Sequence, residues 1–389
     1  AWTELAAFTP GGLIVDENYY HRVANFVAHG MGYISPAAFD AGHSLPSAEK
    51  PPLYPLLLAL ETKLGGSSFH SHRLLGALLG AATIVLLGLV ARRIGGPRLG
   101  LIAAALIAVN PVLWRWDSQV LSEPLYAALL ALLLLTACWE RERPGVRQSA
   151  LLGVVVGLAG LTRPEALIFA PLLALLMLVW DRRAAVVPVA AMCAACAAVM
   201  APWVIRNWSA FDRPLISNQS GETIAGANCP TTYHGIGIGF WDVRCLTPIG
   251  SVTQDEAERV GAQRAKGLRY ARDHLGRVPL VLTARVGRTW GFFRPIATDL
   301  QVTVAWVLLV LAIPGFVLLR RRGASLAILL LPAAVVTIAS VLTFGWLRYR
   351  FGADIALTVL AAATVEAALV FLAGKVARPA PTPNTLSGR

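Results

Sequence analysis

Charged residues are scarce in this chain of 389 residues, since Asp, Glu, Lys and Arg make up only 14% of it. Ordinary soluble domains carry roughly 25% charge. Hydrophobic residues make up 56%, and several apolar runs reach or approach the ~20 residues that a bilayer span requires. The composition excludes an ordinary soluble enzyme and predicts an all-α polytopic membrane protein.

Acidic residues are the scarcer charge, with 22 Asp and Glu against 34 Lys and Arg and a net charge of +12. In a soluble protein this excess would suggest nucleic acid, but no basic patch is interleaved with aromatic residues. Much of the excess falls in short loops between apolar runs, which the positive-inside rule explains. We therefore expect no nucleic-acid partner. The chain opens without Met or a basic region, so we expect no cleavable signal peptide and numbering that begins inside a longer protein.

Nine apolar segments are predicted to span the membrane. They lie at about 74–91, 99–113, 124–139, 150–161, 166–180, 185–205, 302–319, 325–343 and 353–373. Arginine-rich loops follow alternate segments, including Arg92-Arg93 and Arg320-Arg321-Arg322. The positive-inside rule places these loops in the cytoplasm and the intervening loops on the extracytoplasmic side of a cell membrane.

The chain divides into five predicted regions. They are an extracytoplasmic first loop with amphipathic and juxtamembrane helices (1–72), transmembrane helices (73–205), an extracytoplasmic insert (206–300), C-terminal transmembrane helices (301–375) and a disordered tail (376–389). In the first region the apolar run at 56–64 is too short to cross a bilayer, so we interpret it as an interfacial helix.

Cysteines are few, with five in the chain. Cys229 and Cys245 both fall in the predicted extracytoplasmic insert, where an oxidising environment favours a disulfide. We predict that they pair. Cys193 and Cys196 have C-x-x-C spacing but lie in an apolar span, where small buried hydrophobic residues are the simpler interpretation than a redox site.

Asp16 and Glu17 are adjacent carboxylates before a short helical pattern that ends at Gly30. One interpretation is structural: Asp16 caps the helix, and the Glu17 carboxylate in the first turn interacts favourably with the helix dipole. The topology, however, places both on the same side of the membrane as several other ionisable residues at span ends. These are Glu49, Lys50, Asp117, Glu123, Arg163, Glu165, Arg348 and Arg350. A one-sided collection of both signs predicts a shared polar cavity at the membrane interface.

Structural alternatives remain open for several of these residues. Glu123 precedes Pro124 and could simply open a helix. Thr162 to Glu165 has the pattern of a capping box, and Lys50 could be an interfacial lysine whose stem lies in the apolar region. Arg163 is harder to explain structurally, because a helix N-terminus disfavours a cation.

The functional alternative unites these charges. Arginine can grip phosphate oxygens as a fork and lysine can act as a point charge, so cations at the outer leaflet suit a lipid phosphate. A nearby carboxylate can take a proton from an attacking hydroxyl. These are the requirements for moving a sugar from a polyprenyl phosphate, because the leaving phosphate needs charge stabilisation while the acceptor is deprotonated.

Several motifs occur in an ordered series along the chain. They are Asp16-Glu17-x-x-Tyr20, Glu49-Lys50-Pro51-Pro52-Leu53-Tyr54-Pro55, Asn110-Pro111 leading to Ser122-Glu123-Pro124-Leu125, Leu161-Thr162-Arg163-Pro164-Glu165, Pro202-Trp203-x-x-Arg206-Asn207 and Arg348-Tyr349-Arg350. In this order the chain resembles the GT-C-fold polyprenyl-phosphate-dependent glycosyltransferases, which include protein O-mannosyltransferases and the lipid A aminoarabinose transferase. The stretches around Cys229 to Cys245 and Arg285 to Gly291 look like an actinobacterial subgroup.

The resemblance implies a membrane enzyme that moves a sugar, with inversion, from a polyprenyl-phosphate donor to an envelope lipid, glycan or protein hydroxyl. By matching position, Asp16 would be the catalytic base and Glu123 a second site carboxylate. The residues assigned to substrate binding are Glu17, Tyr20, Glu49, Lys50, Tyr54, Arg163, Arg348 and Arg350, with Lys50, Arg163 and one of the last two on the phosphate. Glu49 matches a metal-binding position in one branch of the family. We assign no metal ligands and no certain cofactor, and leave a divalent metal open.

Two departures from the family pattern stand out. The family usually has a span before the Asp-Glu loop, and none is predicted before Asp16, so we expect either a truncated chain or a lost first helix. Many relatives have His-Pro-Pro where this chain has Lys50-Pro51-Pro52. Two other classes of protein remain as alternatives: a transporter or flippase of lipid-linked substrates, and a non-catalytic protein that binds polyprenyl phosphate. The absence of an internal repeat and the one-sided charges disfavour the transporter.

Overall fold

The computed structural model describes residues 12–246 and 255–376, and over these residues the fold is helical. Seventeen α-helices follow one another there: α1 (Gly12–Ala28), α2 (Pro36–Asp40), α3 (Leu53–Lys63), α4 (Phe69–Gly95), α5 (Pro97–Ala108), α6 (Pro111–Asp117), α7 (Glu123–Glu142), α8 (Val146–Gly160), α9 (Phe169–Trp180), α10 (Val186–Phe211), α11 (Gln219–Ala227), α12 (Pro230–Tyr233), α13 (Glu256–Asp273), α14 (Val278–Trp290), α15 (Asp299–Arg321), α16 (Ala327–Leu342) and α17 (Phe351–Val376). The predicted all-α class is confirmed. Of the predicted tail, residues 377–389 lie outside the described residues, and Val376 is the last residue of α17.

The helices that can cross a membrane vary in length. Five segments are long and apolar enough by themselves: α4, α7, α10, α15 and the segment Leu347–Ala373, most of which is α17. Helices α5 and α6 qualify together as a sixth, and three shorter apolar segments, α8, Pro164–Trp180 and α16, have 10–17 residues. The chain is therefore a multi-pass membrane protein. The predicted number of nine spans is not confirmed, although each predicted span coincides with one of these segments.

One predicted span is not a continuous helix. The sequence pattern suggested a span at about 99–113, but α5 ends at Ala108 and α6 starts at Pro111, with a bend of 62° between them. Proline has no backbone N–H and cannot continue a helix, and the Asn110 side chain accepts a hydrogen bond from the Val112 N–H at 3.0 Å. The Asn110-Pro111 pair therefore breaks the span and starts α6.

Helix α7 lies at the centre of the bundle. Leu130, Leu133 and Leu134 are among the largest fully buried side chains, and α7 packs against α4, α8 and α17. Glycine permits the closest helix contacts elsewhere: a Cβ on Gly153 of α8 would lie 2.1 Å from the Met192 carbonyl oxygen of α10. Small residues allow such approach in membrane bundles, where no hydrophobic effect drives helices together.

The charged residues of interest sit at one end of this bundle. Glu123 is the first residue of α7, and Arg163 precedes a 3₁₀ turn at Pro164–Ile168. Arg348 lies in the 3₁₀ turn Leu347–Arg350 that leads into α17. Helix α1, the loop before α3 and helix α11 cover the same end, because they contribute to the walls of one cavity there.

Candidate active site

A cavity of about 710 Å³ lies at this end of the bundle. Its charged surface is formed by Asp16, Lys50, Arg163, Glu165 and Arg348, which come from four separate parts of the chain. Glu123, buried at 1% exposure, lies directly behind this surface and contacts two of its cations. The polar cavity expected from the one-sided charges is therefore present.

Asp16 projects into the cavity from α1 and is held by two cations. Its Oδ1 lies 3.0 Å from the Lys50 Nζ, and its Oδ2 lies 3.7 Å from the Arg348 Nη1. Burial opposes ionisation of the carboxyl, but the charges of Lys50 and Arg348 outweigh burial and hold the pKa of Asp16 below its ordinary value. Asp16 is therefore ionised at neutral pH, while its side chain keeps 25% of its surface exposed.

The helix-cap interpretation of Asp16 is wrong. Helix α1 begins at Gly12, so Asp16 lies inside the helix, where its backbone N–H is no longer one of the first unpaired donors. The apolar pattern that starts at Tyr20 had suggested a later start. Position within a helix fixes the direction of the Asp16 side chain, since Tyr20 lies one turn further along on the same face and also lines the cavity.

Glu123 joins two of the cations. One oxygen, Oε1, accepts a hydrogen bond from the Arg348 Nε at 2.6 Å and lies 3.4 Å from the Arg163 Nη1. The other oxygen, Oε2, is buried and has no hydrogen-bond partner among the described residues. This buried carboxylate therefore holds two guanidinium groups together, and removing either cation would leave its charge less well compensated.

Arg163 is enclosed by aromatic rings. Its guanidinium carbon lies 5.0 Å from the centre of the Tyr349 ring and 5.7 Å from that of Tyr126, and its Nε donates to Glu165 at 2.7 Å. Burial lowers the pKa of Arg163, but Glu165 and Glu123 outweigh burial and raise it. Ring faces attract cations, so this arrangement orients the planar fork of the guanidinium.

The capping-box interpretation of this motif is wrong. The Thr162 hydroxyl donates to the Leu158 carbonyl at 3.0 Å, and no side chain caps the 3₁₀ turn. Glu165 pairs instead with Arg163. An ion pair with a buried guanidinium competes successfully with a cap that would satisfy only one backbone donor.

The loop that carries Lys50 is fixed by the elements around it. Tyr33 donates its hydroxyl to the Lys50 carbonyl at 3.0 Å, and Ser217 donates to the Glu49 carbonyl at 2.8 Å. Arg206 donates to the Ser47 carbonyl at 2.7 Å and to the Tyr33 carbonyl at 2.8 Å. The Lys50 ammonium is thus held at a defined position next to Asp16.

Four of the residues predicted to bind substrate do not line the cavity. Glu17 accepts a hydrogen bond from the Val120 N–H at 2.9 Å and pairs with Arg73 at 3.5 Å. Tyr54 is buried with its ring edge-on to Tyr20, 5.1 Å between ring centres. Arg350 is fully buried on the other side of its turn and donates to Asp354 at 2.9 Å. The structure therefore brings Arg348, and not Arg350, to the cavity.

Glu49 is the fourth of these residues, and it lies beside the cavity instead of in its wall. Its carboxylate is 3.8 Å from the Lys50 Nζ. Burial raises the pKa of Glu49 to about 7, against the lowering effect of Lys50. The group is therefore partly protonated at neutral pH and acts as a weak partner of Lys50.

The residues around the candidate site offer a poor fit for a divalent metal. Among residues 12–246 and 255–376, no group of three or more His, Cys, Asp or Glu side chains is close enough to hold a metal ion. Lys50 contacts both Glu49 and Asp16. The Asp16 carboxylate is already paired, because one of its oxygens faces Lys50 and the other faces Arg348. We therefore assign no role to a metal.

Sequence reasoning missed several residues of the site. Tyr126 and Tyr349 contact Arg163, and Trp116 lies under Arg348 with 5.2 Å from the guanidinium carbon to the ring centre. Tyr349 stands between the two arginines of its motif, which was the available signal. Tyr126 and Trp116 had no local signal, because an aromatic residue in a membrane helix is usually part of the core or the interface.

The insert contributes one wall of the cavity. Helix α11 lines the same cavity as the charged surface, and α12 follows it in the chain. A disulfide joins Cys229 to Cys245, with 6.2 Å between the two Cα atoms. Asp242, which lies between them, accepts a hydrogen bond from Thr231 at 2.6 Å. These contacts hold the segment that follows α11 against the rest of the insert.

Comparisons with known proteins agree with this fold. Residues 49–206 match the family model described as dolichyl-phosphate-mannose-protein mannosyltransferase. The oligosaccharyltransferase AglB from Archaeoglobus fulgidus, solved with an inhibitory peptide and a dolichol-phosphate, has a TM-score of 0.55 and 14% identity over 95% of this chain. The oligosaccharyltransferase of the same organism in the apo form has a TM-score of 0.53 and 16% identity over 94% of this chain.

This chain covers 48% and 49% of the lengths of those two proteins. ArnT from Cupriavidus metallidurans in the apo state matches over 95% of this chain and 76% of its own, with 16% identity and a TM-score of only 0.38. No curated protein matches the chain. The predicted GT-C fold is confirmed, whereas the actinobacterial subgroup stays a prediction.

Proposed function

We propose that this chain, a multi-pass membrane protein with the GT-C fold, is a glycosyltransferase that moves a sugar from a polyprenyl-phosphate donor to a hydroxyl of an envelope acceptor. One observation carries the proposal: a carboxylate that is ionised and partly exposed, Asp16, shares a cavity with three largely buried cations. The family match over residues 49–206 supports the donor class. The charge bias of the loops supports an extracytoplasmic site.

The three cations suit the phosphate of the donor. Lys50, Arg163 and Arg348 present an ammonium and two guanidinium groups to one cavity. The bond between the anomeric carbon and the phosphate oxygen breaks during transfer, and its electron pair stays on the phosphate. Fixed cations stabilise the charge that develops there, and they do so strongly in a site with little water.

Asp16 suits the role of the base. The acceptor oxygen attacks the anomeric carbon, and its proton passes to the Asp16 carboxylate as the new bond forms. A single displacement of this kind inverts the configuration at the anomeric carbon. Without donor, Lys50 and Arg348 lower the proton affinity of Asp16. A bound phosphate would share those cations and raise that affinity, so the base becomes effective when donor is present.

Replacing Asp16 with Asn tests the base. The amide cannot accept the proton, and a general base contributes typically 10²–10⁴-fold to rate, so we expect transfer to fall about 10³-fold. Binding of polyprenyl phosphate by the purified full chain should remain. The measurement is transfer of radiolabelled sugar from a polyprenyl-phosphate sugar in reconstituted membranes.

The control is Asp181→Asn, an exposed carboxylate outside the cavity. Transfer at the native rate by Asp16→Asn would exclude Asp16 as the base. A native chain that binds polyprenyl phosphate yet transfers no sugar would instead be the non-catalytic binding protein. Vectorial movement of the intact donor across the membrane would identify a flippase.

A further inference from the structure

Helix α11 presents a neutral polar face to the cavity. Gln219, Ser220 and Thr223 line it from this helix together with the apolar Ile224, and none of the three polar residues carries a charge. Gln219 and Thr223 are half-buried and lie four residues apart, on the same side of the helix. This face differs from the charged surface formed by Asp16 and Lys50.

The hydrogen-bonding groups on this face are unused. Neighbouring polar side chains are engaged: Ser217 donates to the Glu49 carbonyl at 2.8 Å, and Asn218 donates to Glu256 at 2.8 Å. Within the described part of the chain, the side chains of Gln219, Ser220 and Thr223 have no hydrogen-bond partner. Together they offer two hydroxyls and an amide, which both donate and accept.

Helix α11 is closely packed against its neighbours. A Cβ on Gly221 would lie 2.2 Å from the Val260 carbonyl oxygen, and a Cβ on Gly267 would lie 2.5 Å from that of Ile224, so α11 and α13 are in close contact. The Asn218 N–H donates to the Ala48 carbonyl at 2.7 Å, two residues before Lys50. These contacts define the position of the polar face relative to the charged surface.

Helix α16 contributes a third kind of wall to the cavity, beside the charged surface and the neutral face of α11. It consists largely of apolar side chains, among them Val335, Val336, Ala339 and Leu342. Such a wall offers a sugar few hydrogen bonds, and the charged surface is suited to phosphate. The neutral face of α11 is suited to hydroxyl groups, since a ring with several hydroxyls needs partners that both donate and accept.

We propose that Gln219, Ser220 and Thr223 form a carbohydrate subsite that binds the hydroxyl groups of a sugar ring. The inference rests on the proposed function and adds the residues that would read the sugar. Two sugars could supply these hydroxyls: the one transferred from the donor, or one on the acceptor. Both have the same chemistry, and the experiment separates them.

The test uses the full chain in nanodiscs and a double variant, Gln219→Leu with Thr223→Val. The first probes are bare polyprenyl phosphate and polyprenyl phosphates carrying mannose, glucose or arabinose. The second probes are the octyl glycosides of the same sugars, used as acceptors. Thr283→Val is the matched control, since Thr283 is exposed on α14 and lies outside this cavity.

If the subsite holds the transferred sugar, the double variant should bind the preferred sugar-bearing lipid about tenfold more weakly and the bare lipid as the native chain does. If it holds the acceptor, donor binding should be unchanged. The concentration of octyl glycoside that gives half-maximal transfer should then rise about tenfold. Retained binding of bare lipid also shows that the variant is folded.

Native values for every probe in the double variant would overturn the subsite. It would also be overturned if the native chain bound bare and sugar-bearing lipids equally and no octyl glycoside saturated transfer. A native chain that bound neither form of the lipid would contradict the proposed function itself, which is a separate result.

Discussion

The two ends of helix α7 carry charge in different ways. At its first residue, Glu123 lies among Arg163 and Arg348, whose side chains are 13% and 8% exposed. At its last residue, Glu142 pairs with Arg93, and these side chains are 46% and 39% exposed. The same residue types thus form a buried network at one end and an ordinary surface pair at the other.

The difference indicates which end is built for a ligand. An exposed pair contributes roughly 0–1 kcal/mol and needs no functional explanation. Burying several charges is costly unless each is paired, and an apolar replacement is often as stable. A buried network next to a cavity therefore indicates a function other than stability. Three predictions test the contrast, in order of decreasing effect.

The largest effect on stability is expected from Arg348→Ala. Arg348 supplies the shortest contact to the buried Glu123, at 2.5 Å, and also pairs with Asp16 at 3.7 Å. Its removal leaves a carboxylate with 1% exposure facing only Arg163. We expect a loss of about 3 kcal/mol in the free energy of unfolding, measured by denaturation in detergent micelles.

The matched control for this variant is Arg93→Ala at the other end of α7. This pair is exposed, so we expect a loss of about 0.5 kcal/mol. Similar losses in the two variants would remove the contrast between the two ends. A variant Arg348→Lys, which keeps the charge but not the fork, should recover part of the stability.

A smaller effect is expected from Arg163→Ala, and it concerns binding. Arg163 already has partners in Glu165 and the ring of Tyr349, so the loss removes one of three cations available to a phosphate. We expect the dissociation constant for polyprenyl phosphate to rise about tenfold. Intrinsic fluorescence or native mass spectrometry would measure it.

The control for Arg163 is Arg320→Ala, because Arg320 is exposed near the end of α15 and does not line the cavity. It should bind the lipid like the native chain. Unchanged affinity in Arg163→Ala would remove that residue from the phosphate site. It would leave Lys50 and Arg348 as the cations to examine.

The smallest effect is expected from Glu49→Gln, and it depends on pH. Burial raises the pKa of Glu49 to about 7, so between about pH 4.5 and 7 the folded chain holds a proton that the unfolded chain has lost. Stability therefore falls as pH rises through this window. The glutamine variant lacks this slope. Between pH 5 and 8 its free energy of unfolding should rise by about 1 kcal/mol relative to that of the native chain. The effect is no larger because solvent screens the exposed third of the side chain.

Glu142→Gln is the control for this measurement, because Glu142 is exposed. The stability of this variant should depend on pH as that of the native chain does. A native pH profile in Glu49→Gln would mean that Glu49 is ionised like an ordinary surface carboxyl. It would then act as a full partner of Lys50 at neutral pH.

Much of the helical architecture could be predicted from the sequence. The predicted spans coincide with helices or apolar segments because a bilayer acts on each segment separately, through its length and its hydrophobicity. The bend at Asn110 was missed because hydropathy does not register a change of direction. The start of α1 was missed because the apolar pattern begins at Tyr20, whereas the helix begins at Gly12.

The candidate site could be predicted only in part. Topology placed Asp16, Lys50, Glu123 and Arg163 on one side of the membrane, and the structure brings them together. The neutral face of α11 carried no signal, because Gln219 and Thr223 are ordinary residues in a polar segment. They line the cavity only because the fold brings α11 next to the loop that carries Lys50, which is distant in the sequence.

The sequence by itself determined the membrane helices and which of their ends carry the charges, because both properties depend on local composition. Only the tertiary structure decided which charges meet. Arg348 and Arg350 belong to one 3₁₀ turn, in which residues two apart lie on different sides of the helix axis. Arg348 therefore reaches Glu123 in α7, whereas Arg350 reaches Asp354 one turn into α17. Packing of the turn between helices settles this direction, and no local pattern contains it.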